Sequence, residues 1–272
     1  MCYVRWTVSP EAFSVGGLTV RYYGLFLAVA FLTVAATLCY VLKCENKPLL
    51  LVPVILNAVF LSALVGARLG ECFFYFPEYY LQNPTEIILP FRDGRYVGIG
   101  GLSSHGAALA IVPALILTAR RRRQSPMQLI DSVCLSLPPA AFFIRIGNLM
   151  NSEIVGTETS AVWGFIFETR NEDFARHPVQ IYEALCYLCI FFLLIKLYRT
   201  KRDINSGIIF GLFLSLTFFC RFIIEIYKAP LNEFDLHSIY STSQYLNLFF
   251  ALAGTVILYC RTVKNNRSEV GV

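Results

Sequence analysis

The apolar positions of this chain come in long unbroken blocks, not in alternation. Seven stretches, at about 22–42, 49–69, 99–119, 127–146, 179–198, 207–226 and 243–260, are almost continuously hydrophobic. A helix needs about 20 such residues to cross a bilayer. Inside hydrocarbon every backbone amide must bond within its own segment, so blocks of this length predict helices. The pattern predicts an all-α integral membrane protein with about seven transmembrane helices.

The polar residues between the blocks predict an orientation. Lys43 and Lys47 follow the first block and Arg120, Arg121, Arg122 and Arg123 the third. Lys196, Arg199, Lys201 and Arg202 end or follow the fifth, and Arg261, Lys264 and Arg267 follow the seventh. These are 13 of the 23 basic residues, with only Glu45, Asp131, Asp203 and Glu269 on the same side. Excess Lys and Arg marks cytoplasmic loops. The expectation is one polytopic membrane domain over 1–272, N-terminus outside and C-terminus cytoplasmic. Its periplasmic segments would fall at about 1–21, 70–98, 147–178 and 227–242. The segment 70–98, with Pro77, Pro84, Pro90, Asp93 and Gly94, reads as irregular, with a short interfacial helix around FFYFPEYYL. The RRRR run reads as a topology anchor; a nucleic-acid partner would need more basic surface.

Composition sharpens this picture. Of 272 residues, 56% are hydrophobic and 15% charged, against about 25% charged in soluble domains. Nine cysteines form no framework. Six of them (Cys39, Cys134, Cys186, Cys189, Cys220 and Cys260) lie in apolar runs and read as small hydrophobes. Cys186 and Cys189 spell C-x-x-C without the soluble context of a metal or redox motif. No metal or other cofactor is expected. The first 20 residues lack the apolar core of a removable signal peptide, so the first block would serve as the targeting signal.

The candidate chemistry sits at one end of the blocks. Arg21, Tyr22 and Tyr23 open the first, and Arg68 ends the second. His105 lies several residues into the third, and Arg145, Asn148 and Asn151 end the fourth. His177, Gln180, Tyr182 and Glu183 open the fifth, Arg221 and Glu225 lie near the outer end of the sixth, and Gln244 and Asn247 open the seventh. An arginine in a bilayer costs roughly 2.5–3.5 kcal/mol on insertion scales. Snorkelling explains Arg21 or Arg68 alone, but not amides and carboxylates gathered with arginines. A shared polar cavity open to the outer leaflet explains both. Arg221 and Glu225 share a helix face, either as a structural ion pair or with Glu225 fixing Arg221 against a ligand. Two guanidinium forks, Arg145 and Arg221, suit a phosphodiester. Asn148 and Asn151 are headgroup contacts or inter-helix glue. His105 is a general base or a hydrogen-bonded structural histidine.

The motifs resemble one family. RIGNLMNSEIVG at 145–156, RYYG at 21–24, SHG at 104–106, RHPVQIYEA at 176–184 and RFIIE at 221–225 are similar, in order, to blocks of the prolipoprotein diacylglyceryl transferases. Ala107 departs from the family's usual second glycine after the histidine. The resemblance implies a multi-pass enzyme of the bacterial inner membrane with its active site toward the periplasm. It implies transfer of the diacylglyceryl group of phosphatidylglycerol to the lipobox cysteine of a preprolipoprotein, forming a thioether and releasing glycerol 1-phosphate. Its expected partners are phosphatidylglycerol, signal peptides bearing a lipobox and membrane lipids. On this reading Arg145 and Arg221 bind the phosphate, Glu225 orients Arg221, Asn148 and Asn151 hold the glycerol or the site wall, Gly156 shapes the loop, Tyr23 bonds the headgroup or a catalytic partner, and His105 takes the thiol proton or orients the group that does. His177 and Glu183 read as site-wall or structural residues. The competing expectation is a transporter or channel with an outward-facing polar cavity, which would need a polar path to both faces.

Overall fold

The computed structural model describes residues 3–89, 91–92, 95–96, 102–200, 206–230 and 239–270, with the backbone alone at 18, 91–92, 95–96 and 264–270. Pro90, Asp93, Gly94, Lys201, Arg202, Asp203 and the predicted helical residues 99–101 lie outside the described residues, as do the side chains of Lys264, Arg267 and Glu269. The chain divides into two compact units, one of residues 1–41 with 131–272 and one of residues 42–130.

In the larger unit, three short strands precede the first helix: β1 (Val4–Trp6), β2 (Glu11–Val15) and β3 (Leu18–Arg21). β2 and β3 form an antiparallel hairpin around Gly16 and Gly17, whose φ of 57° and 83° only glycine adopts cheaply. Helix α1 (Tyr22–Cys44) begins in this unit, and most of α5 (Pro126–Met150) belongs to it. After α5 come β6 (Phe165–Phe167), α6 (Val179–Thr200), α7 (Ile208–Ile224) and α8 (Thr242–Val270). Strand β1 pairs in parallel with β6, so the N-terminal tail is sewn to the segment between α5 and α6. Beneath this pair Leu149, Val155 and Phe167 are buried against Trp6, Phe165 and Ile181. The all-helical expectation thus describes the membrane spans and omits these short strands.

Helices α7 and α8 meet through small residues. A Cβ on Gly254 would lie 2.6 Å from the Ser215 amide nitrogen, and Phe218 stacks on Phe250 at 4.6 Å between centroids. Small residues let helix backbones approach in a bilayer. At the other end of α7, Asp131 of α5 caps the helix: its carboxylate accepts from the amides of Gly207 (2.6 Å) and Phe210 (2.8 Å). These orphan donors of a helix start are buried here, and Asp131 satisfies them.

The smaller unit holds α2 (Leu51–Gly70), which continues as one π-helical turn over Glu71–Tyr75, then α3 (Pro77–Gln82), the two-residue strands β4 (Phe91–Arg92) and β5 (Arg95–Tyr96), and α4 (Ser104–Arg121). α3 overlaps the second half of the predicted interfacial helix around FFYFPEYYL. Arg68 does more here than snorkel. Its Nε and one terminal nitrogen donate to the carbonyls of Ile87 (3.0 Å) and Glu86 (2.6 Å), and its guanidinium lies 5.1 Å from the Tyr80 ring centre. α2 and α4 touch backbone to backbone: a Cβ on Gly70 would lie 2.6 Å from the Gly106 Cα.

Among the described residues, six helices are long and apolar enough to cross a membrane: 22–44, 51–75, 126–150, 179–200, 208–227 and 242–263. Leu32, Leu61, Phe192, Phe219 and Phe249 stand exposed on them, as lipid-facing positions do. This is a multi-pass membrane protein. The remaining predicted block is α4. It starts at Ser104, because Ser103 caps it by accepting from the Gly106 amide at 3.3 Å. Its 18 residues span about 27 Å. His105 therefore lies in the first turn, not several residues into a span.

Candidate active site

The site of the larger unit grows from the end of α5. The helix presents Arg145 and Asn148 one turn apart and then stops. Ser152 and Ile154 adopt φ of 52° and 55°. Such a conformation costs a non-glycine residue about 1–3 kcal/mol, most for a β-branched one. The strained exit turns Glu153 back toward the helix. An Arg145 terminal nitrogen donates to Asn148 Oδ1 (3.1 Å), and Asn148 Nδ2 donates to Glu153 Oε1 (2.7 Å). Gln180 of α6 adds a bond from Nε2 to the Glu153 carbonyl at 2.7 Å. Tyr23 lies on the same wall, since a Cβ on Gly147 would lie 3.1 Å from its ring.

Glu183 of α6 is the hub. It is 1% exposed and carries three cationic contacts. Its Oε2 lies 2.6 Å from Arg145 Nε; its Oε1 lies 3.0 Å from Lys228 Nζ and 3.8 Å from a terminal nitrogen of Arg221. Arg221, on α7, also donates to Tyr187 Oη at 3.0 Å and to Asn247 Oδ1 of α8 at 3.4 Å. Lys228 donates a second bond, 2.9 Å, to Glu225 Oε2. Three cations (Arg145, Arg221, Lys228) therefore share a buried region with three carboxylates (Glu153, Glu183, Glu225). A buried charge without a partner costs several kcal/mol, so this balance is a condition of folding.

Gly156 ties the rim together. Its amide donates to the His177 carbonyl (3.0 Å), and the Thr157 amide donates to the Tyr227 carbonyl (2.8 Å). A Cβ at this position would lie 2.5 Å from the His177 carbonyl oxygen and 2.6 Å from that of Tyr227. Only glycine fits, and the close approach holds Lys228, next in the chain to Tyr227, beside Glu183. His177 sits in an aromatic cluster, its Nδ1 3.1 Å from Tyr182 Oη and its ring 4.9 Å from that of Tyr227. Burial pushes this imidazole below its ordinary range. Further out, Arg176 and Arg170 hold the Glu172 carboxyl below the usual carboxylate range.

The structure thus brings Tyr23, Arg145, Asn148, Gly156, Arg221 and Glu225 into one neighbourhood. Asn151 follows on the same turn, with its Oδ1 buried and lacking a hydrogen-bond partner; Gln180 Oε1 is in the same state. His105 belongs to the smaller unit, 1% exposed, with Nδ1 3.1 Å from Tyr75 Oη. The residues that sequence reasoning passed over include Lys228, Tyr187, Glu153 and the central part of Glu183. Helical spacing carried a signal for two of them: Tyr187 is four past Glu183, and Lys228 is three past Glu225. Glu225, expected to hold Arg221, bonds Lys228 and also acts electrostatically on Arg221, while Glu183 spans the two arginines.

Chemically, the cluster offers convergent guanidinium and ammonium donors to an oxyanion and buried amide oxygens to a hydroxyl. Comparison with known proteins finds the same family that the motifs resemble. The family model described as "prolipoprotein diacylglyceryl transferase" matches residues 10–260. The phosphatidylglycerol–prolipoprotein diacylglyceryl transferase of Tolumonas auensis is 37% identical over 254 residues, covering 93% of this chain and 95% of that protein. Those of Chloroherpeton thalassium (35%, covering 98% and 97%) and Porphyromonas gingivalis (38%, covering 97% and 96%) are similar throughout.

Proposed function

This chain belongs to the prolipoprotein diacylglyceryl transferase family and is a transferase, and from that premise we propose that it moves the diacylglyceryl group of phosphatidylglycerol onto the lipobox cysteine of a preprolipoprotein. The observation that carries the reading is Glu183 joined to Arg145 and Arg221, which come from different helices. In the proposed reaction the cysteine sulfur attacks the glycerol carbon that bears the phosphate. A C–S thioether bond forms and the C–O bond breaks. The electron pair leaves with the phosphate, as glycerol 1-phosphate. The thiol proton passes to a base, for which His105 is our candidate.

The residues divide the work by charge. A lipid phosphodiester competes with Glu183 for guanidinium donors, first at Arg221, where the carboxylate contact is loosest at 3.8 Å. As the leaving phosphate gains charge, Arg145 and Arg221 stabilise it most at the transition state. Lys228 supplies a third cation, held ready by Glu225. The unpartnered oxygens of Asn151 and Gln180 accept from glycerol hydroxyls, and Asn148 fixes the pose of Arg145. Tyr23 closes the wall toward the headgroup. The thiol, with a free pKa of about 8.5, becomes nucleophilic in this positive field.

We further propose that α4 is a seventh crossing. The N-terminus and the 147–178 segment then face the periplasm, the basic loops face the cytoplasm, and the protein resides in the bacterial inner membrane. A transporter lacks support, because the polar groups lie at one end of the spans.

The test is purified protein with phosphatidylglycerol vesicles and a lipobox peptide, followed by mass spectrometry. We expect a gain of one diacylglyceryl unit at the cysteine, lost in Arg145→Ala and Arg221→Ala. Wild-type rates from either folded variant would overturn the reading.

A further inference from the structure

We propose that Cys186 of α6 and Cys220 of α7 form an oxidation site: a hydroperoxide closes the two thiols into a disulfide, and the closure slows transfer by fixing the helix pair that carries Arg221. The bond stands on the geometry of the larger unit alone. Its effect on the rate rests on the proposed function.

Three observations carry it. First, both cysteines are free, and their thiols lie within hydrogen-bonding reach of each other across the two helices. A cysteine that serves only as a small hydrophobe needs no second thiol opposite it. Second, the neighbours of this pair fix the register of α6 against α7. Tyr187, next to Cys186, accepts from Arg221, next to Cys220, at 3.0 Å. Glu183, one turn earlier on α6, lies 3.8 Å from the same guanidinium. Third, the thiols sit at the margin of the seam. Tyr187, Ile190, Phe218 and Arg221 are buried, while Leu185 and Phe219 stand exposed on the apolar surface. Cys186 and Cys220 are half-buried between these two zones, so an oxidant dissolved among acyl chains reaches them.

Cys189 is the rival partner, three positions past Cys186. Residues so spaced on a helix have Cβ atoms about 5–6 Å apart. A disulfide needs roughly 3.5–4.5 Å. Bridging that C-x-x-C pair would distort α6, whereas the Cys186–Cys220 bridge needs the sulfurs only to close to about 2.05 Å.

The oxidation proceeds in two steps. One thiol sulfur attacks the terminal oxygen of the hydroperoxide. The O–O bond breaks, an alcohol leaves with the thiol proton, and a sulfenic acid remains. The second thiol attacks the sulfenic sulfur, its proton leaves with the hydroxyl as water, and the S–S bond forms. The thiol pair loses two electrons and the hydroperoxide gains them. The new bond braces Arg221 at its Tyr187 and Glu183 contacts, where it is slow to turn toward a phosphate.

The experiment exposes the full-length protein in phosphatidylglycerol nanodiscs to cumene hydroperoxide. Remaining thiols are blocked with N-ethylmaleimide, disulfides are mapped by mass spectrometry, and transfer to a lipobox peptide is timed on the same samples. We expect a Cys186–Cys220 bridge and a rate lower by about 10-fold or more, since a misplacement of about 1 Å can cost on the order of 100-fold. Dithiothreitol should restore the rate. Cys186→Ser and Cys220→Ser should start at the wild-type rate and keep it under the hydroperoxide. Unbridged Cys186 and Cys220 in the oxidised wild type, or a Cys186–Cys189 bridge instead, overturns the site, and this arm needs no variant to fold. A bridge that leaves the rate unchanged, or serine variants that slow as the wild type does, overturns the control of transfer. Absence of transfer in every untreated sample defeats the proposed function instead, while the disulfide map still decides whether the two thiols pair.

Discussion

Glu183 Oε2 lies 2.6 Å from Arg145 Nε, and the same carboxylate reaches Arg221 through its other oxygen. One acid on α6 thereby sets the spacing of two guanidinium groups from α5 and α7. Removing it leaves Arg145, Arg221 and Lys228 short of a counter-charge in a buried place. Glu183→Ala is expected to destabilise the protein by about 3–5 kcal/mol. Glu183→Gln keeps the shape without the charge and should fold better yet transfer poorly. Thermal unfolding in detergent alongside the peptide assay separates the two effects. Equal melting temperatures for all three proteins would show that the hub carries no structural weight.

Gly156 has backbone on two sides, with carbonyl oxygens 2.5 Å and 2.6 Å from where a Cβ would stand. Neither carbonyl can swing aside as a side chain would. Gly156→Ala should part the 156–157 segment from His177 and Tyr227 and move Lys228 away from Glu183. We expect a loss of activity of at least 10-fold and a lower melting temperature. Near-normal rates would mean that the rim yields more easily than its geometry indicates.

Asp131 lies at the opposite end of α7 from Arg221. Its carboxylate satisfies the amides of Gly207 and Phe210. Asp131→Ala strands both donors, at about 1–3 kcal/mol each when buried. The expected signature is a clear drop in melting temperature with kcat preserved at low temperature. A kcat that falls with stability untouched would assign Asp131 a different role.

Acid should weaken the rim through His177. Burial lowers its folded-state pKa below the ordinary 6.5. The unfolded chain therefore takes up the proton first as pH falls. Stability tied to the neutral ring is complete above pH 6.5 and is lost as pH drops through the lower folded value. His177→Gln should flatten that part of the profile of melting temperature against pH. A profile that matches the wild type through this range would count against the assignment.

The membrane helices are legible because hydrophobic block length is a direct physical requirement of the bilayer. Arg145 and Arg221 are legible for the converse reason: an arginine at the end of an apolar block needs a purpose. The role of Glu183 is less so. Spacing arguments compare residues on one helix, and by that measure Glu225 is the natural mate of Arg221. Which carboxylate reaches an arginine is decided by how α5, α6 and α7 converge, and no single segment encodes that. The strands illustrate both cases. The Gly16–Gly17 pair between β-prone residues is a readable hairpin signal. The pairing of β1 with β6 leaves no local trace, because its partners are far apart in the chain.

That pairing bears on the order of assembly. Val4 and Phe165 are separated by 161 positions (165 − 4), and α1, α2, α4 and α5 lie between them. The first strand must wait, unmatched, until four long helices have been made. Closing so long a loop is slow compared with forming a helix. Trp6 therefore meets Phe165 only after α5 has been made, and a chain caught before that moment would have its first helices formed and its N-terminal strand still unpaired.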